Sequence, residues 1–371
     1  MKRKKTDLVI DKNLKKKIVV IGAVFFIISV GVNNILRDFF SQKIIPEEPK
    51  KVHVITDPEE EQNIPITNEK VERLLKKAKE NILMKYIIGI TKYGSHTTAT
   101  KLKKLISEIL GEKYNLPIEK VADYIYKELR SMGLSVRVQD WEQYIKIENL
   151  FNPSYHRRFF VGKNIEATLH GTNESSDEIY ILVAHYDSWY FSVGANACTS
   201  GVAAVLAIAE LLSECSFEHT VRFLFVDGEF QGGLGLKEYV KEADEFNENI
   251  VAAFFIDSIG NPGFDYFDDD IVISLKKTCW VSDFTSDVNS RYRKFLNFTL
   301  NEDCTGNHKH ENPFLEFGYD AICFCEADYD NIPTSSDTYE KIDKNIDWTY
   351  ATNIMKLVIA TLCELAMGLN K

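Results

Sequence analysis

Apolar residues run unbroken from Ile179 to Ala184 and stop at His185-Tyr186-Asp187-Ser188. A run of that length predicts a strand buried on both faces. Gly194-Ala195-Asn196-Ala197-Cys198-Thr199-Ser200-Gly201 follows as a turn, and Val202 to Leu212 has helical spacing. The same alternation continues along the chain. Strands are predicted at Val221–Val226, Ile250–Ile256, Ile271–Leu275 and Ala321–Cys325, with helices at Leu234–Ala243, Cys279–Leu296 and Trp348–Met367. Upstream, Glu69–Leu83, Thr97–Leu110 and Ile118–Met132 have helical spacing, Tyr86–Gly94 reads as a short strand or turn, and Ser135–Trp141 and Phe159–Leu169 read as strands. Alternating strands and helices predict an α/β fold in three layers, a mostly parallel twisted sheet with helices on both faces.

A different pattern opens the chain. Lys2, Arg3, Lys4, Lys5, Lys12, Lys15, Lys16 and Lys17 precede a charge-free apolar run from Ile18 to Leu36. That run has the length of a hydrocarbon core, and no small-x-small cleavage site follows it. It reads as an uncleaved signal anchor, one N-terminal transmembrane helix. The basic cluster should then be cytoplasmic and the rest of the chain beyond the membrane, a single-pass arrangement. The division expected is a basic segment 1–17, an anchor 18–36, a polar linker 37–69 and a domain 70–371.

The net charge of -11 argues against a nucleic-acid partner. The seven cysteines are an odd number, widely scattered, and form no disulfide framework. Strand ends carry the candidate chemistry: His185 and Asp187, Glu229, Asp257, and the loop Asn331–Asp337. Carboxyl ends of parallel strands are where such folds place their sites. A His with an Asp two residues on suits a metal ligand held by a carboxylate.

These stretches, with Gly194-Ala195-Asn196, Ser200-Gly201-Val202-Ala203-Ala204, Phe223–Gly235, Asp257-Ser258-Ile259-Gly260, Asn312-Pro313-Phe314 and Asp337-Thr338-Tyr339, resemble metallopeptidase family 28. The resemblance runs from about Asn164 to the C-terminus. It implies the fold of the co-catalytic zinc aminopeptidases and carboxypeptidases, with two zinc ions bridged by one Asp and a Glu general base. His185 and Asp257 then match metal ligands, Asp187 the residue that orients the His, and Glu229 the general base. The three other ligand positions hold Ala197, Phe230 and Pro333, none of which can coordinate zinc. All three fall on the second metal and its bridge, and glutaminyl cyclases, single-zinc relatives, need the same positions.

The expectation is therefore a degenerate member: no metal cofactor, and a protein or peptide ligand in the old cleft, where Trp189, Tyr190, Phe191 and Phe230 could form an aromatic pocket. Degenerate relatives of this family serve as receptors or assembly scaffolds. The rival expectation is an active aminopeptidase with one zinc, its ligands rebuilt from Cys198, His308, His310 or Glu311.

Overall fold

The structure is a computed structural model. It describes residues 67–110, 116–149, 152–190, 192–262, 270–274, 280–296, 299–301, 312–326, 337–338 and 346–368. The chain divides into two compact units, Met1–Asp57 and Pro58–Lys371, and every described residue belongs to the second. The basic segment, the candidate anchor 18–36 and nearly all of the linker lie outside the described residues. Among the described residues no helix is long and apolar enough to cross a membrane.

Among the described residues nine strands form one sheet: β1 Ala99–Thr100, β2 Ser135–Asn149, β3 Asn152–Leu169, β4 Ile179–His185, β5 Thr220–Val226, β6 Ile250–Ile256, β7 Asp270–Ser274, β8 Thr299–Asn301 and β9 Ala321–Glu326. Their order is β1-β3-β5-β4-β6-β9-β7-β8, with β2 paired to β3. The centre, β5-β4-β6-β9, is parallel. Each flank brings in antiparallel pairs: β3 runs antiparallel to β1, β2 and β5, and β7 antiparallel to β9, while β8 pairs parallel to β7. A mostly parallel sheet thus describes the core, and the whole sheet is mixed.

Period-two alternation separates the two faces of the sheet. Tyr180, Leu182, Ala184, Phe223, Phe225 and Phe254 join the larger core. That layer contains α1 Glu69–Lys77, α2 Glu80–Thr91, α4 Pro117–Ser131, α5 Thr199–Leu212, α7 Trp280–Arg291 and α9 Trp348–Ala366. Ile181, Val183, Leu224, Val226 and Phe255 face the other way, against α6 Leu234–Glu245 and α8 Asn312–Glu316. Helix α3, Lys101–Leu110, belongs to neither layer: it buries no residue. Helix α5 is apolar around almost its whole circumference, as befits a helix covered on all sides.

Four sequence expectations change. Glu69–Leu83 is not one helix: extended backbone at Ala78 and Lys79 parts it into α1 and α2. Tyr86–Gly94 is not a strand or turn, because Leu83, Tyr86, Ile87 and Ile90 form the buried stripe of α2. Its Tyr-Ile-Ile run looks like a strand only when the four-residue spacing around it is ignored. Thr97–Leu110 is not one helix: β1 occupies Ala99–Thr100, and α3 starts at Lys101. The strands expected at Ser135–Trp141 and Phe159–Leu169 extend into a long antiparallel hairpin, paired from Ser135↔Thr168 to Asn149↔Asn152. Its outer half is polar, so hydrophobic alternation did not reveal it.

Candidate active site

The helix leaving β4 lies on one face of the sheet, and the helix leading into β6 lies on the other. Such a reversal opens a crevice at the carboxyl ends of the two strands. His185 ends β4, and Asp257 follows β6. Both are buried, and His185 Nε2 lies 3.1 Å from Asp257 Oδ1. On its other side, His185 Nδ1 is 3.1 Å from the Asp187 carbonyl oxygen and 3.4 Å from Asp187 Oδ1. Oxygen acceptors face both ring nitrogens, so both carry protons. Burial acts to lower the His185 pKa, but the hydrogen bonds to Asp187 and Asp257 outweigh it and raise it to about 10. The pair is an imidazolium held between two carboxylates.

Asp187 is fully buried, which disfavours its charge, yet its pKa is lowered. The causes are His185 and the backbone N–H groups of Glu229 and Phe230, which donate to its two oxygens at 3.1 and 3.2 Å. Thr98 Oγ1 donates to Asp187 at 3.2 Å and Asp227 at 2.6 Å, among alternative directions for one hydroxyl. Burial and the charge of Asp187 push the Asp227 pKa far upward. Asp187 therefore meets His185 with its main-chain carbonyl and, slightly farther off, its carboxylate. Glu229 opens a short 3-10 turn, Glu229–Gln231, after Gly228, whose φ of 89° is left-handed. A Cβ on Gly228 would also come within 2.9 Å of the Trp141 ring.

The remaining positions hold other chemistry. The Phe230 ring meets His185 edge-on at 5.5 Å, and Trp189 meets Phe230 at 5.3 Å. Ala197 offers the site its main chain only: its N–H and that of Asn196 donate to the two oxygens of Asp337, at 3.0 and 2.9 Å. The Asn196 amide donates to both oxygens of Glu326, at 3.1 and 2.9 Å, and accepts from Gly260 N–H at 2.8 Å. Burial raises the Glu326 pKa to about 8 despite these donors. Pro333, His308, His310, Glu311 and Phe191 lie outside the described residues.

Cys198 does not turn toward His185. Its Sγ lies 3.9 Å from His96 Nε2 and 3.4 Å from the Gly194 carbonyl. His96 Nδ1 is 2.7 Å from the Gly94 carbonyl, which makes Nδ1 the protonated nitrogen. Burial lowers the His96 pKa to about 4 and raises the Cys198 pKa, leaving both neutral. Among the described residues no group of three His, Cys, Asp or Glu side chains is placed to hold a metal ion. His185 and Asp257 face each other at 3.1 Å, but Ala197 and Phe230 add no ligand atom, so the described side chains fall short of the three protein ligands a zinc centre needs.

The sequence reading missed His96, Thr98 and Glu326. Glu326 directly follows Cys323-Phe324-Cys325 and satisfies the same strand-end rule that singled out Asp257. His96 and Thr98 lie in a polar loop with no periodic signal. Beside the site is a cavity of about 490 Å³, lined in part by Thr98, Ser188, Trp189, Tyr190, Phe230 and Gln231.

Comparison with known proteins bears on the family and the fold. Residues 164–358 match the sequence pattern of peptidase family M28. A curated relative, described as "Probable zinc metalloprotease" of Pyrenophora tritici-repentis (strain Pt-1C-BFP), is 30% identical over 133 residues. That match covers 33% of this chain and 29% of the relative, so the chain spans less than a third of the relative's length. Among solved structures, the aminopeptidase from Aneurinibacillus sp. strain AM-1 is 15% identical with a TM-score of 0.61, over 80% of this chain and 96% of that one. LapB from Legionella pneumophila is 16% identical with a TM-score of 0.62, over 82% and 77%. The Macrostomum lignano glutaminyl cyclase is 16% identical with a TM-score of 0.60, over 81% and 94%. At these identities the structures speak for the fold alone. The matched pattern spans just over half of the sequence, and with the sheet order and the strand-end residues it places the chain in peptidase family M28.

Proposed function

We propose that this chain is a degenerate member of its family, anchored in a membrane by residues 18–36, that acts by binding rather than hydrolysis. One observation carries the reading. His185 is closed between Asp187 and Asp257, with the Phe230 ring against it and no ligand atom on Ala197. Zinc wants at least three protein ligands. The natural ligand site is the old cleft, whose cavity has an aromatic wall of Trp189, Tyr190 and Phe230. A peptide or protein segment fits such a wall, with Ser188 and Gln231 as polar contacts.

The second reading, an aminopeptidase with a rebuilt single zinc, draws on the four retained family residues. His185, Asp187, Glu229 and Asp257 all stand at or just past the ends of strands β4, β5 and β6, and Glu229 is the residue that the family resemblance makes the general base.

Metal analysis of the purified chain separates the two. The degenerate reading expects far less than one zinc per chain, and no chelator-sensitive release of aminoacyl amides. The triple substitution Ala197→Asp, Phe230→Glu and Pro333→His should raise zinc content toward two per chain. Stoichiometric, tightly held zinc in the unaltered chain, with hydrolysis abolished by Glu229→Gln, would establish the second reading instead.

A further inference from the structure

Helix α3 has a pattern that the fold leaves unused. Leu102, Leu105, Ile106, Ile109 and Leu110 recur at i, i+3, i+4, i+7 and i+8, the spacing of a helix face meant for burial. Yet all five are between 47 and 75% exposed, and the helix buries no residue. At 100° per residue, Lys101 and Lys103 border this stripe on its two sides. Lys103 Nζ sits 5.4 Å from the ring centre of Tyr190, which ties the helix to the exposed Trp189-Tyr190 pair.

We infer that α3 and the Trp189-Tyr190 loop form a membrane-docking face that lies in the headgroup region of an anionic bilayer. Three features favour lipid over a protein partner. First, the stripe is purely aliphatic, with lysines at its edges whose stems can lie along the acyl boundary while their charges reach phosphate. Second, the aromatic residues sit beside the stripe rather than at its centre. Trp and Tyr concentrate at headgroup depth, whereas protein interfaces place aromatic anchors in the middle of the patch. Third, the charge is local. Lys101 pairs with Glu142 and Lys104 with Glu119, which leaves Lys103, at the edge of the stripe, as the α3 lysine with no carboxylate partner among the described residues, although the chain as a whole carries -11. That suits an anionic surface.

The reading of residues 18–36 as an anchor would supply the bilayer. The 30 residues from 37 to 66 give a contour length of at most roughly 100 Å. The docking face rests on that reading only for its proximity to lipid, since the stripe itself is a property of the described helix.

The test uses the full chain in vesicles of phosphatidylcholine with phosphatidylserine. A photoreactive benzoylphenylalanine is introduced as Ile109→benzoylphenylalanine on the stripe, or as Glu108→benzoylphenylalanine on the polar side. Docking predicts lipid adducts several-fold more abundant at position 109 than at 108. They should drop to the 108 level in a Leu105→Glu, Ile106→Glu background, substitutions at exposed positions that leave the melting temperature unchanged. Equal lipid labelling at both positions overturns the inference, as does labelling at 109 of a second protein or of this chain. Carbonate extraction of the same vesicles reads the anchor separately. If the chain extracts, the anchor reading fails and docking is judged by flotation with the vesicles. Flotation that needs phosphatidylserine and is lost in the double variant supports docking, and its absence overturns docking.

Discussion

Glu166 on β3 sits between two guanidinium groups. Arg137 donates to it at 3.0 and 3.2 Å, Arg222 lies 3.7 Å away, and the Tyr239 hydroxyl donates at 2.7 Å. Burial disfavours the Glu166 charge, but Arg137, Arg222 and Tyr239 win, and its pKa is lowered. Removing one member of a buried ion pair costs about 3 to 5 kcal/mol. Arg137 keeps Glu242 and Arg222 keeps Glu248, so the lower end applies. Glu166→Gln should therefore lower unfolding stability by about 3 kcal/mol at neutral pH. The sign with pH follows from the depressed value. The contribution is complete above the unfolded Glu value of about 4.3 and is lost as pH falls through the folded value. Urea melts of both proteins should show their stability gap shrinking in acid. A gap that is constant with pH, or absent at neutral pH, refutes this account of the network.

At the scale of elements, the approach of α5 to β6 depends on Gly201. A Cβ there would stand 2.4 Å from the Ile256 carbonyl oxygen and 2.6 Å from that of Asp257. Both obstacles are main chain, so neither can swing aside. Gly201→Ala gains up to about 1 kcal/mol of helix propensity, while overpacking a fixed core costs about 1 to 3 kcal/mol. The net should be a loss of about 1 kcal/mol, measured by thermal or urea unfolding. An unchanged or raised stability would mean that the helix can ride outward freely. Gly201 lies within a stretch quoted for the family resemblance, but its reason, the carbonyls of a strand more than fifty residues on, is not in the sequence. The same limit explains what else was legible. The β4, β6 and β9 strands stood out because they are buried on both faces and read as apolar runs, and β5 did so despite Arg222 in its middle. Strand-end placement then gave His185, Asp187, Glu229 and Asp257. The polar half of the β2–β3 hairpin gave no signal, because its partner strand, not apolar burial, defines it. His96 was invisible for a related reason: Ser188 Oγ accepts from its main chain across ninety-two residues.

For the whole molecule, the larger core runs from α1 at the start of the described chain to α9 at its end. The two ends are joined directly: the Asn68 N–H donates to the Tyr292 hydroxyl at 2.9 Å, and Thr349 Oγ1 donates to Glu80 at 3.0 Å. A core shared this way should melt as one unit. A chain beginning at Pro58 is expected to unfold in a single transition, with calorimetric and van't Hoff enthalpies equal. Two resolved transitions, or none, would show that residues 1–57 complete the fold. The Asn196–Ala197 turn has a further consequence for how such a chain can diverge. Asp337 takes the main-chain N–H groups of residues 196 and 197, not their side chains. The contact asks of residue 197 only that it have an N–H, and proline alone lacks one. One small side chain can therefore replace another at position 197 while the two hydrogen bonds that hold the turn stay in place.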